Sequence, residues 1–131
     1  MEQIMAAKPK LLIIEDDDWI IQIFSKVLTN HFLVDIAQTV PQFYSSIEKN
    51  VYDVFLIDLS LRSEKNGLVL IEELRQMESY KTTPIVVVTA NALRKDRENA
   101  FKAGATKFIT KPVENSVLLH EFLDLFKERT D

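Results

Sequence analysis

The chain has 131 residues, enough for one domain with a substantial core and too few for two. Apolar residues at 47% and charged residues at 27% suit a globular protein, and the absence of cysteine excludes disulfides, thiolate metal sites and thiol catalysis. A net charge of −4 argues against broad capture of nucleic acid, and two glycines, Gly67 and Gly104, cannot form a glycine-rich phosphate cradle.

The first ten residues, MEQIMAAKPK, lack the apolar stretch of a signal peptide, and the longest apolar runs are far shorter than a bilayer span. A cytoplasmic protein with no membrane partner is expected. Leu11–Ile14 is a short, wholly apolar run, the habit of a parallel strand buried on both faces. Ile20, Ile23, Phe24 and Val27 then recur at helical spacing. Phe32, Val34 and Ile36 alternate with other residues, as on an exposed edge strand. A helix is predicted from about Pro41 to Lys49, with Pro41 in its first turn, where a missing N–H costs little. Val54–Ile57 reads as a second buried strand, and Leu68, Ile71 and Leu74 mark the next helix. Ile85–Val88 is another strand, followed by a helix over about Asn91 to Ala103 that stops at Gly104. Lys107–Thr110 is a short fifth strand, and a last helix from about Val113 to Arg129 follows Pro112. Strand and helix thus alternate five times, which predicts one doubly wound α/β domain with a parallel sheet and helices on both faces. It is expected to fill residues 1–131, with its core at about 9–128 and no output domain.

Ligands of such sheets bind beyond the carboxyl ends of the strands. Those ends carry Glu15, Asp16, Asp17 and Asp18; Asp58; Thr89; and Thr110, Lys111 and Pro112. Each residue has a structural explanation when taken singly. Asp17 or Asp18 can cap the first helix, with Asp18 preferred; Asp58 can make local turn bonds; Lys111 can be a solvated surface charge. Four strand ends supplying complementary groups together point to a site. Glu15, Asp16 and Asp58 would crowd three negative charges, which raise one another's pKa or else demand a cation. An oxygen-only donor set suits Mg²⁺ before Ca²⁺. Three carboxylates, one divalent cation and Lys111 sum to about zero formal charge, leaving room for one phosphoryl group.

In this order and spacing, KLLIIEDDD, DVFLIDLSL, NGLVLIEELR, PIVVVTANA and AGATKFITKP make the chain resemble the receiver domain of two-component response regulators. The resemblance implies a flavodoxin-like (βα)5 fold with strand order 2-1-3-4-5. It implies that Asp58 is the phosphoacceptor and a metal ligand. Asp16 would ligate Mg²⁺ directly, Glu15 through water, and the Ser60 carbonyl would complete the protein ligands, with Mn²⁺ as a substitute metal. Thr89 would bond a phosphoryl oxygen, Lys111 would bridge the acids or the phosphate, and Phe108 would hold the aromatic switch position. The Lys111–Pro112 bond is expected to be cis. The implied donor is a phosphohistidine on a histidine kinase or histidine phosphotransfer protein, and the implied receiver of the signal is a downstream protein, without direct nucleic-acid contact. Such a domain is a signalling module that promotes its own phosphorylation and slow dephosphorylation.

Two positions depart from the family pattern. Arg62 stands where a proline is frequent, in a loop continuing SEKNG, and Phe108 lacks a tyrosine hydroxyl. Three rival readings are weaker. An aspartyl phosphohydrolase needs a second carboxylate where Ser60 stands, flavin phosphate would be repelled by Glu15–Asp18, and a pseudo-receiver need not keep Asp16, Asp58, Thr89 and Lys111. For output, the last helix is rich in apolar residues. Leu118, Phe122 and Phe126 suffice for the core, leaving Leu119 and Leu123 either as an exposed or partner-covered stripe or as part of a wide buried face under the neighbouring helix. Phosphorylation-enhanced self-association or partner binding through the fourth helix, fifth strand and fifth helix is the corresponding expectation.

Overall fold

The computed structural model describes residues 7–62 and 65–127. Its elements in chain order are β1 (Lys10–Ile14), α1 (Asp18–Leu28), β2 (Leu33–Ala37), α2 (Val40–Lys49), β3 (Val54–Ile57), α3 (Gly67–Gln76), β4 (Ile85–Thr89), α4 (Arg94–Ala103), β5 (Lys107–Thr110) and α5 (Asn115–Asp124). A short 3₁₀ turn at Glu78–Tyr80, not predicted, joins α3 to β4. All strand pairs are parallel and the order is β2-β1-β3-β4-β5, as expected. Among the described residues no helix is long and apolar enough to cross a membrane.

Side chains alternate across each strand, so the central strands feed two cores. Leu12, Ile14, Phe55, Ile57, Ile85 and Val87 pack with α2, α3 and α4. Leu11, Ile13, Val54, Leu56, Val86 and Val88 pack with α1 and α5. Being buried on both faces explains why these strands read as unbroken apolar runs. On the second face, Phe32 meets Phe122 edge-on at 6.0 Å. Arg75 at the end of α3 ties the first layer together. Its guanidinium donates to the carbonyls of Gly104, Tyr80 and Thr83, linking α3, the 3₁₀ turn and the α4–β5 corner.

Several expected details shift. The fully buried residues of α1 are Ile21, Phe24 and Leu28, while Ile20, Ile23 and Val27 flank them half-buried, because the apolar face is broader than one stripe. β2 begins at Leu33, so Phe32 is a buried residue ahead of the strand, and Ile36 is exposed at the sheet edge. The fourth helix starts at Arg94 and not near Asn91, because the Asn91 N–H is committed to Thr89 Oγ1 and the Leu93 N–H to Asp96. Gly104 ends it as predicted, at φ 124°, a backbone conformation that favours glycine. α5 starts at Asn115 and stops at Asp124, where Leu125 and Phe126 N–H groups turn back three residues to Phe122 and Leu123. The expected end at Arg129 lies outside the described residues. Leu119 is not part of an exposed stripe: it packs half-buried on the second core, whereas Leu123 is exposed together with Val117.

Candidate functional site

The carboxyl ends of β1, β3, β4 and β5 bring Glu15, Asp58, Thr89 and Lys111 to one edge of the sheet. The parallel ladder itself sets their height. The Asp58 N–H donates to Ile14 O at 3.1 Å, and the Lys111 N–H donates to Thr89 O at 2.9 Å. The Lys111 ammonium then donates to Glu15 Oε1 at 2.7 Å and to Asp58 Oδ2 at 3.0 Å. All three side chains are sheltered, Glu15 almost completely, so this is a buried triad and not a surface ion pair. The bond from Lys111 to Pro112 is cis, as expected.

Burial pulls the Lys111 ammonium down, but the bond to Glu15 and the charge of Asp58 outweigh it and raise its pKa above the ordinary 10.5. Burial pushes the Glu15 carboxyl above its ordinary 4.5; the Lys111 bond opposes that rise and the Asp58 charge adds to it. Two carboxylates and one ammonium leave a formal negative charge at the sheet edge, an environment that favours a further cation.

Asp58 is also held from its own loop, where the Ser60 N–H donates to Oδ1 at 3.0 Å. Gly67 permits the loop to return this closely. A Cβ there would lie 2.4 Å from the Asp58 carbonyl oxygen and 2.9 Å from Leu59 Cα. Asn66 caps α3 immediately before it, its side chain accepting from the Val69 N–H. Thr89 is fully buried at the end of β4, and its Oγ1 accepts the Asn91 N–H at 3.2 Å.

The acidic run after β1 divides its tasks differently from expectation. Asp17, not Asp18, caps α1, accepting the N–H groups of Trp19 and Ile20, because Asp18 is already the first helical residue. Asp18 instead accepts from Gln38 Nε2. Asp16 turns toward the β3–α3 loop, where Oδ2 accepts the Arg62 N–H at 2.9 Å and lies 3.9 Å from Arg62 Nε. The expected crowding of Glu15, Asp16 and Asp58 is therefore not seen. Among the described residues no group of three or more His, Asp or Glu side chains is arranged to hold a metal ion, because Lys111 stands between two of the acids and Arg62 engages the third. The remaining oxygen donors are two carboxylates, Asp16 and Asp58, and a backbone carbonyl. That set fits Mg²⁺, which takes one or two carboxylates and keeps several waters.

Phe108 sits apart from these groups, half-buried on β5. Its ring centroid lies 6.5 Å from that of Phe101 on α4, and the Arg97 guanidinium covers both rings at 5.3 and 5.6 Å. Sequence reasoning did not reach Arg97 or the Arg62–Asp16 contact. The spacing between Arg97 and Phe101, one helical turn, is the signal that was available for the former.

Comparison with known proteins agrees with this geometry. The family model for the response regulator receiver domain matches residues 11–123. The transcriptional regulatory protein CiaR of Streptococcus pneumoniae is 36% identical over 108 residues, which cover 79% of this chain and 45% of CiaR. The chain thus spans under half the length of that relative. A receiver domain protein from Methanospirillum hungatei superposes with a TM-score of 0.84 at 25% identity, covering 95% of this chain and 98% of that one. The receiver domain of a sensor histidine kinase from Pseudomonas aeruginosa superposes with a TM-score of 0.80 at 28% identity, covering 90% and 97%. That structure has a magnesium ion coordinated in its active-site cleft.

Proposed function

This chain belongs to the response regulator receiver domain family, and on that premise we propose that it accepts a phosphoryl group from a partner phosphohistidine onto Asp58 in a Mg²⁺-dependent reaction. The observation that carries the reading is the Lys111 ammonium bonded at once to Glu15 and Asp58, at the carboxyl edge of the sheet with Thr89 beside it. An Asp58 carboxylate oxygen attacks phosphorus as the phosphorus–nitrogen bond to the donor imidazole breaks, and the imidazole leaves with its electron pair. Carboxylate and phosphoryl group are both anionic, so the reaction needs positive charge already in place. Lys111 supplies one such charge. Asp16, Asp58 and the Ser60 carbonyl would hold Mg²⁺, which supplies the rest of the neutralisation when bound. Positioning does much of the remaining work: Lys111 and the Ser60 N–H fix the Asp58 carboxylate for in-line attack.

The new phosphoryl oxygens offer acceptors to the Thr89 hydroxyl, whose proton is available because its oxygen serves Asn91 as an acceptor. Drawing Thr89 toward the phosphoryl group moves the β4–α4 connection and gives Phe108 room to turn inward. Phe108 carries no hydroxyl, so the change is transmitted by packing. It would emerge on the face of α4, β5 and α5, where Leu93, Phe101, Val117 and Leu123 are exposed, to be read by a downstream protein or a second copy of the chain.

Transfer from a radiolabelled phosphohistidine protein tests the reading. Label should move to the chain with Mg²⁺ and not in its absence, and Asp58→Asn should abolish transfer. A chain that binds the donor but accepts no phosphoryl group from any histidine protein would instead be a binding module of the same fold.

A further inference from the structure

We propose that Arg62 is a built-in counter-ion of Asp16 that competes with the divalent metal, so that the charge at position 62 sets the metal affinity of this chain. The inference rests on the reading of Asp16 as a metal ligand. Two different parts of Arg62 touch the same carboxylate oxygen. The backbone N–H donates to Asp16 Oδ2 at 2.9 Å, and Nε lies 3.9 Å from it. They differ in how firmly they are held. The N–H belongs to the backbone, whereas the Arg62 side chain is 87% exposed against 17% for Asp16. The guanidinium is therefore a soft partner that can leave for water, while the N–H orients the carboxylate.

The other cation of the site cannot take this role. Lys111 is committed to Glu15 and Asp58. The other acids of the run are engaged by neutral donors, Asp17 by the N–H groups of Trp19 and Ile20 and Asp18 by the amide of Gln38. Arg62 thus lowers the negative potential at Asp16 before any metal arrives. A divalent ion approaching Asp16 meets that positive charge and must displace it. The magnitude follows from Coulomb's law: one unit charge near 4 Å, in water, changes an affinity by about fivefold. The contact is exposed, so added salt should erase the difference.

The test separates charge from backbone. Mg²⁺ is titrated into the full chain and followed by emission of Trp19, the single tryptophan, three residues beyond Asp16, and by the Mg²⁺-induced rise in Tm. Arg62→Gln keeps the N–H and removes the charge; it should bind Mg²⁺ about fivefold more tightly at low ionic strength. Arg62→Lys keeps the charge and should stay near the parent. In about 1 M salt, where the Debye length is only about 3 Å, parent and Arg62→Gln should converge. A parent that titrates saturably, loses the response in Asp16→Asn, and matches Arg62→Gln at low salt would overturn the inference while leaving the metal site intact. A gain in Arg62→Gln that persists undiminished in high salt would overturn it as well, since the effect would not be one of charge. No saturable response in the parent would remove both the inference and the metal reading beneath it.

Discussion

Replacing Lys111 with methionine removes the ammonium from the buried triad while keeping most of the side-chain volume. Glu15 and Asp58 are then left facing each other without a cation, both nearly buried. Breaking a buried pair in this way costs about 3–5 kcal/mol when the stranded charge stays ionised. Here the molecule has a cheaper escape, because Glu15 already sits above its ordinary pKa of 4.5 and can take up a proton. Protonating one carboxyl from 4.5 at pH 7 costs about 1.4 kcal/mol per unit, or about 3.4 kcal/mol, which caps the penalty. The sign of the pH dependence follows. In the variant the folded state holds a proton that the unfolded state has released, so lowering the pH favours folding of the variant relative to the parent. The deficit should be about 3 kcal/mol at pH 7, shrink by about 1.4 kcal/mol for each unit of acidification, and nearly vanish by about pH 5. Urea unfolding of parent and Lys111→Met without metal at pH 5, 6 and 7 measures this directly. Asp58→Asn in the same background should cut the pH 7 deficit to about 1 kcal/mol, because one of the two opposed charges is gone. A deficit that is independent of pH, or unchanged by Asp58→Asn, would show that Lys111 does not act as the counter-charge of these acids.

Three further outcomes bear on the fold that presents the site. Gly67→Ala places a methyl group 2.4 Å from the Asp58 carbonyl oxygen, and the resulting strain should exceed the helix-propensity gain, for a net loss of about 2 kcal/mol in thermal or urea melts. Ser25 Oγ on α1 is buried without a hydrogen-bond partner among the described residues, so Ser25→Ala should stabilise the chain by up to about 1 kcal/mol and raise Tm by a few degrees. Burial pushes Glu73 up, but the Tyr44 hydroxyl and the Lys65 ammonium outweigh it and hold its carboxyl below 4.5. The stability this provides is present above pH 4.5 and lost as the pH falls through the lowered value, so Glu73→Gln should be weaker than the parent at neutral pH and equal to it in acid.

The unbroken apolar runs locate β1, β3 and β4, because strands buried on both faces leave no polar interruption, whereas the edge strands β2 and β5 are legible only from alternation and from their place between helices. The strand ends then exposed Glu15, Asp58, Thr89 and Lys111 to inspection, since a parallel sheet must gather its carboxyl ends on one edge. Helix starts were harder to read. The acidic run offered two capping residues of equal chemistry, Asp17 and Asp18, and only the backbone geometry at Asp17 separates them. Asn91 suits a helix by its place in the sequence, but its N–H is taken by Thr89 Oγ1, a side-chain bond that periodicity does not reveal. The position of Asp16 was not legible because its partner, Arg62, lies 46 residues away and engages it through a backbone N–H, a group that every residue but proline carries. Leu119 and Leu123 show the same limit on α5: their spacing is alike, and what separates them is how far the second core extends along the helix.

Intact-protein mass spectrometry after incubation with a small acyl phosphate and Mg²⁺ tests most directly whether Asp58 is the phosphoacceptor. The expected result is one added phosphoryl group that survives acid and is released by base, requires Mg²⁺, and is absent from Asp58→Asn. Modification of Asp58→Asn to the same stoichiometry as the parent, or none in the parent at saturating donor and metal, would contradict it.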